Sequence, residues 1–208
     1  MTEWKLFTDD VPHVSTPEFH EHRERAPHLE QPVHRPRLEM AAELVNAAAL
    51  KCWRKNTSGE PIGHHTVSDL GCGDGGLLSL LGHLGDIDAW GYDFQPSNSA
   101  GWAERGVRAE ALDVFGADSS IVRFGLTTVT TEVLEHLADP HRAVRWIGKH
   151  SRYLVASSPW NETPESHDEC HAWAFDHDGY RALIEQGGYT VLRHETVGQF
   201  QLILGERS

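Results

Sequence analysis

The chain has 208 residues, enough for one large domain with its own core, and its 39% hydrophobic and 24% charged residues are those of an ordinary globular protein. No apolar run approaches the roughly 18 residues of a membrane span, and the start, MTEWKLFTDDVPH, lacks the basic head and apolar core of a signal peptide, so a cytoplasmic location is expected. A net charge of −13 repels phosphate backbones, which sets nucleic acid aside and favours a small or cationic substrate. The three cysteines, Cys52, Cys72 and Cys170, are odd in number and form no CxxC pair, which fits reduced thiols better than disulfides or a cysteine zinc site.

Residues 1–35 mix proline, histidine and charge without sustained periodicity, which predicts an irregular arm with one short helix near Pro17–Arg25. Carrying Phe19, His20, His22 and His28, this arm is expected to act as a lid over the substrate and to leave cofactor affinity untouched. From Pro36 the pattern changes. Leu38, Ala41, Ala42, Leu44, Val45 and Ala48 recur at helical spacing, which predicts a helix to about Trp53, and Asn56-Thr57-Ser58-Gly59-Glu60-Pro61 then reads as a loop. Short apolar runs predict strands at 66–70, 88–92, 108–111, 126–131, 152–157, 189–195 and 199–205, with helices at 76–84, 97–105, 117–123, 139–149 and 176–187. Strand-then-helix alternation argues for a doubly wound, mostly parallel α/β sheet of seven strands with helices on both faces. Only Thr196-Val197-Gly198 separates the last two runs, too little for a parallel crossover, so the last strand is expected antiparallel.

The first strand ends in VSDLGCGDGG. Glycines at 71, 73 and 75 can take positive φ and let a backbone approach a ligand closely, and in an open α/β sheet this strand end is where ligands bind. A phosphate loop would need a Gly-Lys-Ser/Thr ending, and Asp69 and Asp74 would repel a pyrophosphate, so the ligand is expected to be cationic or neutral. Asp93 follows Gly73 by 20 residues, placed to accept bonds from both ribose hydroxyls, a feature that a nicotinamide dinucleotide would also use. Asp113, in EALDV, can accept a bond from an adenine amine.

Together DLGCGDG, GYD, ALDV and TEVLEHLADP resemble the motifs of the Rossmann-like, seven-stranded class I methyltransferases that use S-adenosylmethionine, over about Arg35 to Leu204. The resemblance implies a methyltransferase domain over 36–208, of the small-molecule type, with S-adenosylmethionine as cofactor. It places Asp69, Gly71, Cys72, Gly73 and Gly75 along the methionine part, Asp93 and Phe94 at the ribose, Asp113 and Val114 at the adenine, and Glu132 near the cofactor. One departure stands out: relatives commonly carry an acid just after the Phe that leads the fourth strand, and here Phe124 precedes Gly125.

The reaction implied is methyl transfer to O or N of a small molecule, in secondary metabolism. Positioning supplies most of such catalysis, and a base is needed only where the acceptor loses a proton. His136, directly after the fourth strand, and His171, in the long loop SSPWNETPESHDECHAWAFDHDGY, are the candidate proton acceptors, with Trp160, His167 and Trp173 as candidate substrate contacts. Trp173 also sits in an alternating run that would make it a core residue. Two alternatives remain. Glu132, Glu135, His136 and His171 resemble the metal set of small-RNA 3′-end 2′-O-methyltransferases, or the chain is a non-catalytic module that only binds the cofactor.

Overall fold

The structure is a computed structural model that describes residues 2–8, 10, 12, 13, 15–55, 64–116 and 119–207. Its elements are β1 (Glu3–Lys5), α1 (Pro17–Glu21), α2 (Arg35–Lys55), β2 (His65–Leu70), α3 (Gly76–Gly82), β3 (Ile87–Asp93), α4 (Ser99–Arg105) and β4 (Ala109–Ala111). There follow β5 (Thr127–Thr131), α5 (Pro140–Gly148), β6 (Tyr153–Pro159), β7 (Trp173–Phe175), α6 (His177–Gln186), β8 (Tyr189–Val197) and β9 (Phe200–Arg207).

Seven strands form one sheet in the order β4-β3-β2-β5-β6-β9-β8. The first five pair in parallel, and β9 runs antiparallel between β6 and β8. The tight Val197–Phe200 connection compels that antiparallel pairing, because a parallel crossover needs a dozen residues or more. Chain order reverses beside β2, whose neighbours are β3 on one side and β5 on the other. This is the switch point, and the loops after β2, β3, β4 and β5 diverge there to leave a crevice.

Both faces of the sheet are covered, so its central strands are buried on both sides instead of alternating between core and solvent. In β6, Leu154 and Ala156 pack beneath α5 and α6 with Val144, Ile147, Leu183 and Ile184, whereas Val155 faces α2 and α3 with Leu44, Val45, Leu77 and Leu81. In β9, Ile203 belongs to the first face and Leu202 and Leu204 to the second, following the two-residue period of a strand. Hydroxyls deep in the sheet pair with one another: Ser68 Oγ lies 3.0 Å from Thr128 Oγ1, and His65 Nε2 lies 2.8 Å from Thr127 Oγ1.

Two features differ from the sequence reading, and one lies beyond its test. The helix expected over 117–123 is a single 3-10 turn, Ser119–Ile121, with 117 and 118 outside the described residues; a stretch this short has no room to bury a helical stripe. The loop expected at 56–61 lies outside the described residues. A second, two-stranded sheet joins β1 to β7, pinning the start of the arm beside the end of the long loop. Asp176 reinforces it by accepting bonds from the Thr2 and Gly179 amides at 3.1 and 2.6 Å.

Gly125, the departure noted in the sequence, has a structural reason. It donates its N–H to Ser68 Oγ at 3.2 Å, and a Cβ here would meet the Thr66 carbonyl oxygen at 2.6 Å. Because the obstacle is backbone of a central strand, Gly125→Ala is expected to destabilise the protein by about 1–3 kcal/mol. Chemical denaturation of the two proteins checks this, and equal midpoints would show that the strand start shifts freely.

Candidate functional site

A cavity of about 400 Å³ opens at the switch point, within the size range of small-molecule sites. The loop after β2 forms its floor. Gly71, Gly73 and Gly75 have φ of 80°, 54° and 83°, the left-handed region expected of them. A Cβ on Gly73 would meet nothing within 4 Å, so the bare backbone faces open space there. Gly75 serves differently: it shapes the turn into α3 and does not line the cavity, and a Cβ on it would meet Val107 at 2.7 Å.

Two opposite charges share this cavity, each under-coordinated. Asp69, at the end of β2, is 1% exposed, and its Oδ1 has no hydrogen-bond partner among the described residues. Burial, with repulsion from Asp93, pushes its carboxyl up to about 7 despite the pull of Arg37. Arg37, in the first turn of α2, is also 1% exposed, with neither Nε nor Nη1 hydrogen-bonded among the described residues. Its nearest carboxylate is Glu132, 3.7 Å from Nη1, and its guanidinium lies 5.0 Å from the Phe200 ring centroid. Glu132 is the sole non-glycine residue with positive φ among the described residues, at 56°, and it accepts a 2.8 Å bond from Ser157 Oγ. Such strain at a strand end persists where the surroundings over-determine it, commonly at functional sites. Asp74 is spent otherwise: Arg25 and Arg105 approach its Oδ2 at 3.2 and 2.8 Å, so the loop's second acid presents no free charge to a ligand.

Asp93 ends β3 and accepts bonds from the Gly73 amide at 2.9 Å and the Gln95 amide at 2.8 Å, tying the glycine loop to the next strand. Cys72, Phe94, Asp113 and Val114 line the cavity with it, as the sequence placed them. Burial raises the Cys72 thiol well above its ordinary range, so it is a neutral wall group.

At the other end lie His136 and His171, with ring centroids 4.7 Å apart. The long loop brings them together because Ala172 donates its N–H to the Glu135 carbonyl at 2.7 Å, docking the loop end on the turn after β5. His171 Nδ1 lies 2.6 Å from Glu162 Oε2; a carboxylate only accepts, so Nδ1 donates, and in the neutral ring the lone pair is at Nε2. Burial, then His171, pushes His136 down to about 3, a poor match to the proton acceptor expected from the sequence. The arm closes this end: His13 Nε2 lies 2.7 Å from the His136 carbonyl, Ser15 Oγ lies 2.7 Å from His20 Nε2, and His20 packs edge-on to Phe94 at 4.9 Å.

Trp160, His167 and Trp173 do not line the cavity. Trp160 is 37% exposed and donates Nε1–H to the Gly198 carbonyl at 3.0 Å; His167 is exposed, with Nδ1 3.1 Å from the Thr163 carbonyl; Trp173 packs on the core from β7, the outcome its alternating run allowed. The carboxylate metal set is not assembled either. Glu135 is fully buried and absent from the cavity wall, and Glu132 is engaged by Ser157 and Arg37. Sequence reasoning missed Arg37, Glu162 and His34, which all line the cavity, whereas His28 of the arm was foreseen there. For Arg37 no local signal existed.

These features acquire a family through one comparison: the methyltransferase domain family matches residues 33–200, most of the chain. The chain belongs to that family. The methyltransferase shares its fold with an O-methyltransferase family protein from Burkholderia thailandensis, at TM-score 0.63 and 12% identity over 84% of this chain, which spans 56% of that one. It is also similar to magnesium protoporphyrin IX methyltransferase from Synechocystis PCC 6803 with bound S-adenosylmethionine, at TM-score 0.63 and 13% identity, over 91% of this chain and 88% of that one. A further neighbour is an S-adenosylmethionine-dependent methyltransferase from Aquifex aeolicus, at TM-score 0.54 and 15% identity, over 71% of this chain and 85% of that one. None of the curated proteins matches the methyltransferase. No helix among its described residues is long and apolar enough to cross a membrane.

The depressed His136 gives a direct check. Its ring is expected to stay neutral between pH 5 and 8, with ¹³Cε1 chemical shifts that show no titration there. A midpoint near 6.5 would mean that water reaches the ring and that His136 is a competent proton acceptor after all.

Proposed function

We propose that the protein uses S-adenosylmethionine to methylate an oxygen or nitrogen of a small molecule. The observation that carries this reading is the pair of buried, unsatisfied opposite charges in one cavity, Arg37 and Asp69. A guanidinium with hydrogen-bond donors left over beside Glu132 and a carboxylate with an unfilled oxygen together complement a free amino acid, whose carboxylate and ammonium would each complete a charge-assisted bond. When bound, the cofactor supplies an electrophilic methyl group on a sulfonium sulfur.

The chain's own residues then divide the work. Arg37 takes the carboxylate and Asp69 the ammonium, Asp93 accepts from the ribose hydroxyls, and Asp113 and Val114 face the adenine. Glu132 stays behind Arg37 and holds its guanidinium in place. His20, His136, His171 and Glu162 surround the acceptor, with Nε2 of His171 the nitrogen free to receive a proton or to coordinate. A small-molecule acceptor is supported by the enclosed cavity, by the net charge of −13, and by neighbours whose names concern small molecules.

The arm belongs to both halves of the site, contrary to the expectation that it serves only the substrate. Arg25 pairs with Asp74 of the glycine loop, and His28 lines the cavity with its ring held down to about 3 by burial and by Arg37. Removing residues 1–32 is therefore expected to weaken cofactor binding as well as turnover, and unchanged cofactor affinity in the truncated protein would return the arm to the substrate side alone.

Calorimetry tests the amino-acid receptor. Arg37→Met should weaken S-adenosylmethionine binding roughly 10- to 100-fold, as expected for a lost charged hydrogen bond. Because Asp69 must ionise to meet an ammonium, and burial holds it near 7 in the free protein, affinity should fall about tenfold per pH unit below about 7 and level off above it. Asp69→Asn should bind more weakly and without that pH dependence. Full affinity in Arg37→Met, or a flat pH profile in the natural protein, would remove the receptor from the account.

A further inference from the structure

We infer that the acceptor end of the cavity is a binding site for a thiophilic divalent ion, zinc above all, held by His136, Cys170 and His171. One ligand atom from each of the three lies within 4.8 Å of the other two, the one such group among the described residues. Tetrahedral zinc with nitrogen and sulfur ligands spaces them roughly 3.3–3.6 Å apart, from bond lengths of about 2.0–2.3 Å. The group therefore has to contract by about 1 Å, which side-chain torsions on the loop supply.

The surroundings already resemble the support of a metal ligand. Glu162 fixes the tautomer of His171 through the 2.6 Å contact at Nδ1 and leaves Nε2 to coordinate, the carboxylate–histidine arrangement that orients ligating imidazoles. His136 Nδ1 lies 3.2 Å from the Cys170 carbonyl, which only accepts, and 3.4 Å from Ser15 Oγ, so Nδ1 donates and the neutral ring keeps its lone pair at Nε2. Cys170 is a free, buried thiol on the same wall. On coordination its S–H releases the proton to solvent and the thiolate becomes the ligand.

Two imidazoles and a thiolate select zinc over magnesium or manganese, which prefer carboxylate and water oxygen. The set differs from the carboxylate-rich one considered from the sequence, whose Glu135 is off the cavity wall and whose Glu132 is engaged by Ser157 and Arg37. Three protein ligands on a cavity wall leave one coordination position for a water or a substrate. This adds to the methyl-transfer reading, and rests on it, that the acceptor presents a hydroxyl to that position.

Cobalt(II) is the probe. Chelator-treated, untagged full-length protein should bind one Co²⁺ per chain with the intense visible bands of a four-coordinate ion and a thiolate-to-cobalt charge-transfer band in the near ultraviolet. Cys170→Ser should abolish the charge-transfer band, Glu162→Gln should weaken Co²⁺ binding about 10- to 100-fold, and His167→Ala should change neither. Binding of S-adenosylmethionine by each variant, measured alongside, shows that it is folded. Absence of stoichiometric Co²⁺ binding, or a spectrum indifferent to Cys170→Ser, in protein that still binds S-adenosylmethionine would overturn the metal site alone. Loss of S-adenosylmethionine binding by the natural protein would instead overturn the reading beneath it.

Discussion

A guanidinium and a carboxylate buried in one crevice without enough partners constrain everything around them. Burying a charge is costly unless it is paired and hydrogen-bonded. Arg37 is held by one carboxylate at 3.7 Å and by the Phe200 ring, while Asp69 responds to its isolation by binding its proton more tightly. The protein sustains this mismatch because α2 and β2 belong to a well-packed core that fixes both backbones. In the proposed function, ligand binding relieves electrostatic stress that folding left in place, and a zwitterion is the ligand that would answer both charges.

The arm extends the same logic to the rim. Charge pairs join it to the body in both directions: Arg25 of the arm contacts Asp74 and Glu104, and Arg105 of α4 contacts Glu30 of the arm as well as Asp74. Asp74 is the joint of this network, and at 2% exposure its pairs are screened little by solvent. It sits in the glycine loop, so the arm, the loop and the cofactor end respond together. At the acceptor end the arm instead uses His13, Ser15 and His20, which close the cavity through hydrogen bonds and ring packing.

What could be read from the sequence was local. The seven strands, the antiparallel β9 and the left-handed glycines follow from apolar periodicity, a short connection and Cβ sterics, each contained within a few residues. Asp93, Asp113 and Cys72 line the cavity because strand ends at a switch point must. The β1–β7 pairing was not legible, since it joins residues 3–5 to residues 173–175 with no pattern in either segment that names the other. Composition of the long loop suggested Trp160 and His167, but the path of that loop is set by the Ala172–Glu135 bond, which turns His171 inward and leaves both of those outside. Arg37 was invisible because its significance is a lack of partners, a property of three-dimensional surroundings. His136 was read by residue type as a base, and burial decides otherwise.

A crystal structure with S-adenosylhomocysteine bound tests the central claim most directly. The account predicts the product's carboxylate within hydrogen-bond distance of Arg37 Nε or Nη1 and its ammonium at Asp69 Oδ1, with the ribose hydroxyls on Asp93. A product whose amino-acid end lies in solvent, with Arg37 and Asp69 as unsatisfied as before, would contradict it.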